Sequence, residues 1–281
     1  MKVIIHGGFF SESSQSHETN LAKRASLERI VKMAFQYLSA HTALETVVYA
    51  VSLLEDDTLF NAGTGSQIQG DGKIRMSAAV MDGETQKMSG VINIEEVKNP
   101  VLVAERLLNY DDRILGGEGA TAFARQQGFG EYSVETPQRR AEFEAKLAAS
   151  GQGTVGCVAL DRQGKLAVAT SSGGKGFEIP GRISDSATVA GNYANAHCAV
   201  SMTGVGEDIV SNATAVKIVT RVTDGMPIRD AFARTFEELL PYDGFAGAIA
   251  IDSRGTVFHQ DSHPNMVFAS FDGSVLELYK I

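Results

Sequence analysis

The sequence predicts an α+β fold in which antiparallel sheets are sandwiched between helices. Three observations carry that prediction. Each half of the chain reads strands, helices, strands. Hairpins rather than βαβ crossovers join the strands, which argues against a doubly wound parallel sheet. The 281 residues are 43% hydrophobic and 21% charged, an ordinary globular balance that can bury a sizeable core. Length alone allows one large domain or two small ones.

The elements follow in order. Val3–Ile5 form a first strand, ended by Gly7 and Gly8. Residues 19–40 carry apolar side chains at helical spacing, and Thr42–Leu54 repeat the pattern. An acidic, small-residue loop follows, "LEDDTLFNAGTGS". Residues 74–95 read as paired strands turned at "VMDGET". Asn99-Pro100 opens a helix to about Leu108, because proline suits a first helical turn. A second helix covers Ala120–Gln127. Residues 131–153 are polar and end in small residues; they read as an exposed connector with one helical stretch. "TVGCVALD" and "KLAVATSSGG" form a β-hairpin through "RQGK". "HCAVSMTG" is another strand, 207–222 and 227–239 are amphipathic helices, and the chain ends in a β-meander.

Net charge is −9. Nucleic acid demands a basic face, and so does an anionic membrane surface, so neither is an expected partner. The two cysteines, Cys157 and Cys198, sit in apolar runs as small buried hydrophobes. They lack the spacing of a zinc site. No signal-like h-region and no bilayer-length apolar run occurs, so a cytoplasmic location is expected.

One stretch, "GQGTVGCVALD" at 151–161, fits two motifs. Its first six residues match the G-x-G-x-x-G of a dinucleotide turn. That motif must follow a strand and open a helix, where the pyrophosphate rests. Here it follows a charged connector and opens a β-run. "GEGATA" at 117–122 does precede a helix, but only the short "RIL" stands before it as a strand. Both matches are read as decoys. The alternative is that Thr154 is a nucleophile. A threonine hydroxyl needs an adjacent base, and a chain-terminal threonine has one in its own α-amino group, with pKa about 8 in model peptides. Cleavage between Gly153 and Thr154 would create that terminus. On these residues alone, a plain strand start is the more economical account.

The motifs together change the balance. "LFNAGTGS", "AAVMDG", "NPVLVAERLL", "GGEGATAFA", "GTVGCVALD", "ATSSGG", "PGRISDS" and "TGVGE" occur in that order. The chain thereby resembles, over nearly all its length, the plant-type asparaginase and isoaspartyl aminopeptidase family of N-terminal nucleophile hydrolases. The resemblance implies a single αββα domain. It implies autocatalytic cleavage into an α subunit, 1–153, and a β subunit, 154–281, and hydrolysis of β-aspartyl dipeptides or asparagine. It implies a homodimer of αβ units and no cofactor for catalysis.

Roles follow by the same resemblance. Arg182 would clamp the substrate's α-carboxylate, for which a guanidinium fork is suited, and Asp185 would hold its ammonium. Thr203 and the Gly204 amide would supply an oxyanion hole, with Gly206 against the substrate's amino group. Asn61 would contact the nucleophile's amino group. Carbonyls of Leu54, Glu55, Asp57, Phe60, Ala62 and Thr64 would ligate a structural sodium ion, a hard cation suited to oxygen. Asp56 and Asp57 otherwise belong to a solvated loop. Three departures stand out: Ser172 replaces a threonine near the nucleophile, "HGGFF" replaces "HGGAG", and Phe177-Glu178 replace Asn-Lys. Glu178 is expected to add negative potential at the pocket mouth and favour β-aspartyl-arginine or β-aspartyl-lysine. His6 and His197 are expected to support the core. The alternatives are a glycosylasparaginase-like or processing-protease activity, an unprocessed binding protein of the same fold, and a nicotinamide dehydrogenase.

Overall fold

The computed structural model describes residues 1–9, 17–145, 153–242, 244–263 and 266–280. Strand β1 (Lys2–Phe9) runs straight through the expected stop at Gly7 and Gly8. Helices α1 (His17–Leu38) and α2 (Ala43–Glu55) follow. α2 starts where Thr42 and Glu45 complete a reciprocal capping box, which satisfies two otherwise orphaned amides. Then come β2 (Met76–Asp82), β3 (Met88–Ile94), α3 (Pro100–Leu107), β4 (Ile114–Gly116), α4 (Gly117–Gln126) and α5 (Pro137–Glu144).

The second half opens with the hairpin β5 (Thr154–Leu160) and β6 (Leu166–Ser172). It continues with β7 (Asn192–Ala194), β8 (Cys198–Gly204), α6 (Gly206–Asn212), α7 (Thr214–Thr223) and α8 (Ile228–Glu237). It closes with β9 (Ala246–Asp252), β10 (Val257–Asp261), β11 (Met266–Phe271) and β12 (Leu276–Leu278).

Two sheets face each other. The larger has the order β12-β11-β1-β5-β6-β2-β3-β4, the smaller β10-β9-β8-β7. Helices α1 to α4 cover the outer face of the large sheet, and α7 and α8 cover the small one, giving αββα layers. Alternation on β8 and β9 serves both faces. Ala199, Ile249 and Ile251 join the core between the sheets, while Val200, Ala248 and Ala250 pack with Ile218 and Phe232 of the helices. Every residue of β5 is buried, because helix and sheet cover its two sides.

Four expectations need correction. β4 pairs parallel to β3, so the large sheet is mixed and contains one helical crossover, through α3. The C-terminal meander is divided: β9 and β10 extend the small sheet, β11 and β12 the large one. The 207–222 helix is broken at Ala213, which takes a left-handed φ of 51° and lets the Ala215 amide donate to the Ala190 carbonyl instead. The first part of the connector is docked: Val134 is buried and its carbonyl accepts from the Gly65 amide at 3.0 Å, while Arg139 Nε donates to the Gly65 carbonyl at 2.7 Å. The end of the connector, 146–152, lies outside the described residues.

Candidate active site

Thr154, the first residue of β5, pairs with Ser172, the last of β6. Thr154 Oγ1 lies 3.3 Å from Ser172 Oγ and 3.5 Å from Ser186 Oγ. Ser186 sits in a short 3-10 turn, Asp185–Ala187, and was not singled out in the sequence, although "PGRISDS" contains it. All three hydroxyls are buried. The Gly153–Thr154 bond is thus held at the end of a central strand, among hydroxyls rather than ionised groups.

The facing end of β8 carries Thr203. Its hydroxyl is fully buried and has no hydrogen-bond partner among the described residues. A buried unpaired hydroxyl is costly, and one aimed into a site is a donor awaiting an acceptor. Gly204 has φ 135°, and a Cβ there would stand 2.3 Å from the Phe245 carbonyl oxygen, so only glycine fits.

Asn61 works beside this floor. Its Nδ2 donates to the Gly174 carbonyl at 2.5 Å, and its Oδ1 accepts from the Gln67 amide at 3.0 Å. Its backbone carbonyl accepts from Gly173 at 2.9 Å. Asn61 therefore pins the bend after Ser172 and packs against Gly153, where a Cβ would approach Asn61 Cβ to 3.2 Å.

Charge enters from the 174–185 loop. Arg182 Nε and Nη2 each lie 2.7 Å from the Glu207 carboxylate, a bidentate pair. The Arg182 hydrogen bonds hold the Glu207 carboxyl down to about 2, and Lys175 Nζ adds a contact at 3.4 Å. The carboxylate clamp expected of Arg182 thus already grips an internal carboxylate, which the sequence showed only as the last letter of "TGVGE". Asp185 is buried; Oδ1 accepts from Ser184 Oγ at 2.7 Å and Oδ2 has no partner. Burial pushes its carboxyl up to about 6, against the opposing pull of Ser184 and Arg182. A Cβ at Gly206 would stand 2.8 Å from Asp185 Oδ1 and 3.1 Å from Arg182 Nη2, so Gly206 borders the same pocket.

Glu178 lies elsewhere than expected. It is 5% exposed and forms part of a cleft wall with Ser172, Arg182 and Ser184. Oε1 accepts from the Lys175 amide at 3.2 Å, and Oε2 is buried without a partner. Its carboxylate is therefore inside the cleft, not out at the mouth. Phe177 takes φ 56°, a conformation asparagine tolerates better than phenylalanine. It is held by stacking on Phe143 of α5 at 5.1 Å and by its amide bond to the Ile68 carbonyl.

At the end of α2 and in the loop after it, the Leu54, Glu55 and Asp57 carbonyls accept backbone hydrogen bonds. Those of Phe60, Ala62 and Thr64 accept none among the described residues. The Thr64 hydroxyl is buried without a partner. Asp56 and Asp57 are not merely solvated: Asp56 pairs with Lys98 and Asn99, and Asp57 with Ser26 and Arg29. The Glu55 side chain caps α3 through the Val101 amide at 3.0 Å; burial pushes its carboxyl up to about 8.

His6, Cys157 and Cys198 are buried as expected, whereas His197 is exposed and supports no core. Gly153 and Gly156 open a strand and no helix; Gly151 lies outside the described residues. "GEGATA" does open α4, after the three-residue edge strand β4.

Layered helices and two sheets, with a threonine hydroxyl at a central strand's start, define the class of N-terminal nucleophile hydrolase folds. The chain belongs to the asparaginase family, whose sequence pattern matches residues 1–152 and 133–281. It is 44% identical over 278 residues to an isoaspartyl peptidase/L-asparaginase of Nostoc sp., covering 91% of this chain and 87% of that one. It is 42% identical over 295 residues to a protein so named in Synechocystis sp., covering 98% and 89%. A plant-type L-asparaginase of Pyrococcus furiosus is 33% identical over 293 residues, covering 95% of each chain. These relatives are hydrolases, not nicotinamide dehydrogenases.

Proposed function

We propose that this chain cuts itself before Thr154 and then hydrolyses β-aspartyl dipeptides and asparagine. The observation that carries the reading is the buried hydroxyl set, Thr154 with Ser172 and Ser186 and the Thr203 hydroxyl, which has no partner among the described residues, next to a half-buried Arg182 and a buried Asp185. The names of the related proteins supply the substrate class.

In self-cleavage, Thr154 Oγ attacks the Gly153 carbonyl carbon and the amide nitrogen leaves as the Thr154 amine. The resulting ester is hydrolysed by water, which leaves a carboxylate on Gly153. In turnover, that amine takes the Oγ proton as Oγ attacks the substrate's side-chain amide carbon. Thr203 donates to the oxyanion, joined by the Gly204 amide. The proton passes to the departing amine, and water then releases aspartate from the ester. Arg182 takes the α-carboxylate, displacing Glu207, and Asp185 takes the α-ammonium.

The same reading includes a sodium ion at the 54–64 loop. The uncommitted carbonyls of Phe60, Ala62 and Thr64 and the orphaned Thr64 hydroxyl suit a hard cation. Leu54, Glu55 and Asp57 would complete the set through their carbonyls' second lone pairs. Such an ion would stiffen the loop that carries Asn61. A dimer of cleaved units and a cytoplasmic setting complete the proposal; both cysteines being free is consistent with the latter. Among the described residues no helix is long and apolar enough to cross a membrane.

A denaturing gel and N-terminal sequencing test the core of this. The smaller fragment should begin Thr-Val-Gly-Cys. Thr154→Ala should remain one chain and show no turnover; cleavage or activity in that variant removes Thr154 from the role.

A further inference from the structure

Directly beneath the reacting hydroxyls lies a second set of polar groups that the reaction as described does not use. Thr170 Oγ1 is 2.9 Å from Asn192 Oδ1 and 2.8 Å from Ser201 Oγ, and Ser201 Oγ is 2.9 Å from His6 Nε2. All four residues are 0% exposed. They come from β1, β6, β7 and β8, so the chain of contacts bridges both sheets. Alternate residues of a strand share a face. Thr154 and Gly156, Ser172 and Thr170, and Thr203 and Ser201 are therefore stacked pairs, about 7 Å apart along their strands. Register confirms the layer, since Gly156 pairs with both Thr170 and His6. A Cβ on Gly156 would stand 2.0 Å from Ser201 Oγ and 2.4 Å from His6 Nε2. The glycine leaves the gap through which the bridge passes.

The protons give the chain a direction. Thr170 donates to Asn192 Oδ1. Each hydroxyl has one proton to give, so Ser201 donates to Thr170 and His6 Nε2 donates to Ser201. His6 Nδ1, buried without a partner among the described residues, is then the bare nitrogen. Gly156, against which His6 and Ser201 meet, is two residues along β5 from Thr154, so the strand passes any shift of the bridge to the nucleophile. Burial holds the imidazole down to about 3, so it stays neutral and is a fixed dipole rather than a base.

We propose that Asn192, Thr170, Ser201 and His6 form a neutral hydrogen-bonded chain one layer beneath Thr154 that sets its position against Thr203 across the two sheets. His6 is then a positioning residue for the nucleophile, not a core filler. The proposal rests on Thr154 as nucleophile and Thr203 as oxyanion donor.

Thr170→Val and Ser201→Ala each break one link and leave the reacting hydroxyls in place. With a β-aspartyl dipeptide, kcat should fall roughly tenfold to a hundredfold, as for a displaced reacting group, with KM within about twofold. Thr170→Ser keeps the hydroxyl and should restore most of kcat. Equal losses in Thr170→Val and Thr170→Ser, or wild-type kcat in Ser201→Ala, overturn the proposal. Nitrogen-15 NMR of the histidine-labelled wild-type protein gives a second test that needs neither variants nor turnover. A protonated Nε2 and bare Nδ1 on His6 are expected; a proton on Nδ1 instead reverses the order of the chain and overturns the proposal. Failure there is separate from failure of the nucleophile assignment, which Thr154→Ala tests alone.

Discussion

The floor of the site and its rim hold their groups by different means. On the floor, Thr154, Ser172 and Thr203 are neutral, buried and carried on strands. At the rim, Arg182 and Lys175 lie on a loop, and Glu207, half exposed, lies in the first turn of α6. A hydroxyl fixed by a sheet keeps its place when substrate arrives. A charged pair can change partners: the Glu207 carboxylate can swing to water and yield the Arg182 fork to another carboxylate of the same shape. On the proposed mechanism, chemistry sits where the fold is stiff, and capture where it can exchange.

The difference can be broken from the floor first. Thr203→Val keeps the shape and removes the oxyanion donor. On the proposed mechanism kcat should drop about 100- to 1000-fold, with KM little changed; a loss confined to KM would move Thr203 to the rim. Arg182→Ala should act the other way. Losing a charged hydrogen bond costs about 1.5–3 kcal/mol, or roughly one to two decades in kcat/KM, and it leaves Glu207 unpaired. Self-cleavage involves no free α-carboxylate and should proceed; an uncleaved Arg182→Ala chain would place the arginine on the floor.

Asp185 sharpens the comparison because it belongs to both regions. Its carboxyl is raised to about 6 by burial, so the fold resists the charge that an ammonium requires. Below about pH 6 the ionised form disappears, and log kcat/KM should steepen by one proton, a break absent from Asp185→Asn. The stability sign is opposite. A raised carboxyl pKa stabilises the fold at low pH, and that stability is lost as pH rises through about 6. Asp185→Asn should then be more stable than wild type at pH 7, on the order of 1–3 kcal/mol, and poor in turnover. Thermal melts at pH 4 and pH 7 read this directly; an equal difference at both would refute it.

The smallest effect concerns Glu178. Its unpartnered Oε2 gives the cleft wall a spare anionic acceptor. β-Aspartyl-lysine and β-aspartyl-arginine should be favoured over β-aspartyl-leucine by roughly fivefold, about 1 kcal/mol. Glu178→Gln should erase the preference. Equal discrimination in both proteins, or a wild type that prefers leucine, would sink the idea.

Much of the floor was legible in the sequence because strand pairing puts neighbours where hairpins demand. Once "TVGCVALD" and "KLAVATSS" are a hairpin, Thr154 must face Ser172. The rim was harder. Whether Arg182 is free or paired depends on Glu207, 25 residues away on another element, and no local pattern encodes that contact. Glu178 was placed at the mouth by sequence position alone; the fold turned it inward. His6 looked like a core histidine because its partners, Ser201 and Thr170, are distant in the chain and weak as signals by themselves. The divided meander escaped for a related reason: an alternating strand pattern says which face is buried, not which sheet receives it.

The order of the large sheet has a consequence for how the molecule is made. β1 lies between β11 and β5, and β2 lies beside β6. Residues 1–153 and 154–281 are therefore woven together like interlocked fingers, not set side by side. Two separately translated pieces with that boundary would each present long, apolar, unpaired edges, which favour aggregation. Assembly has to precede any severing of the backbone at that point. Once assembled, neither piece can depart without undoing the middle of the sheet, so a cut there leaves the molecule whole and a gene divided there should yield inclusion bodies.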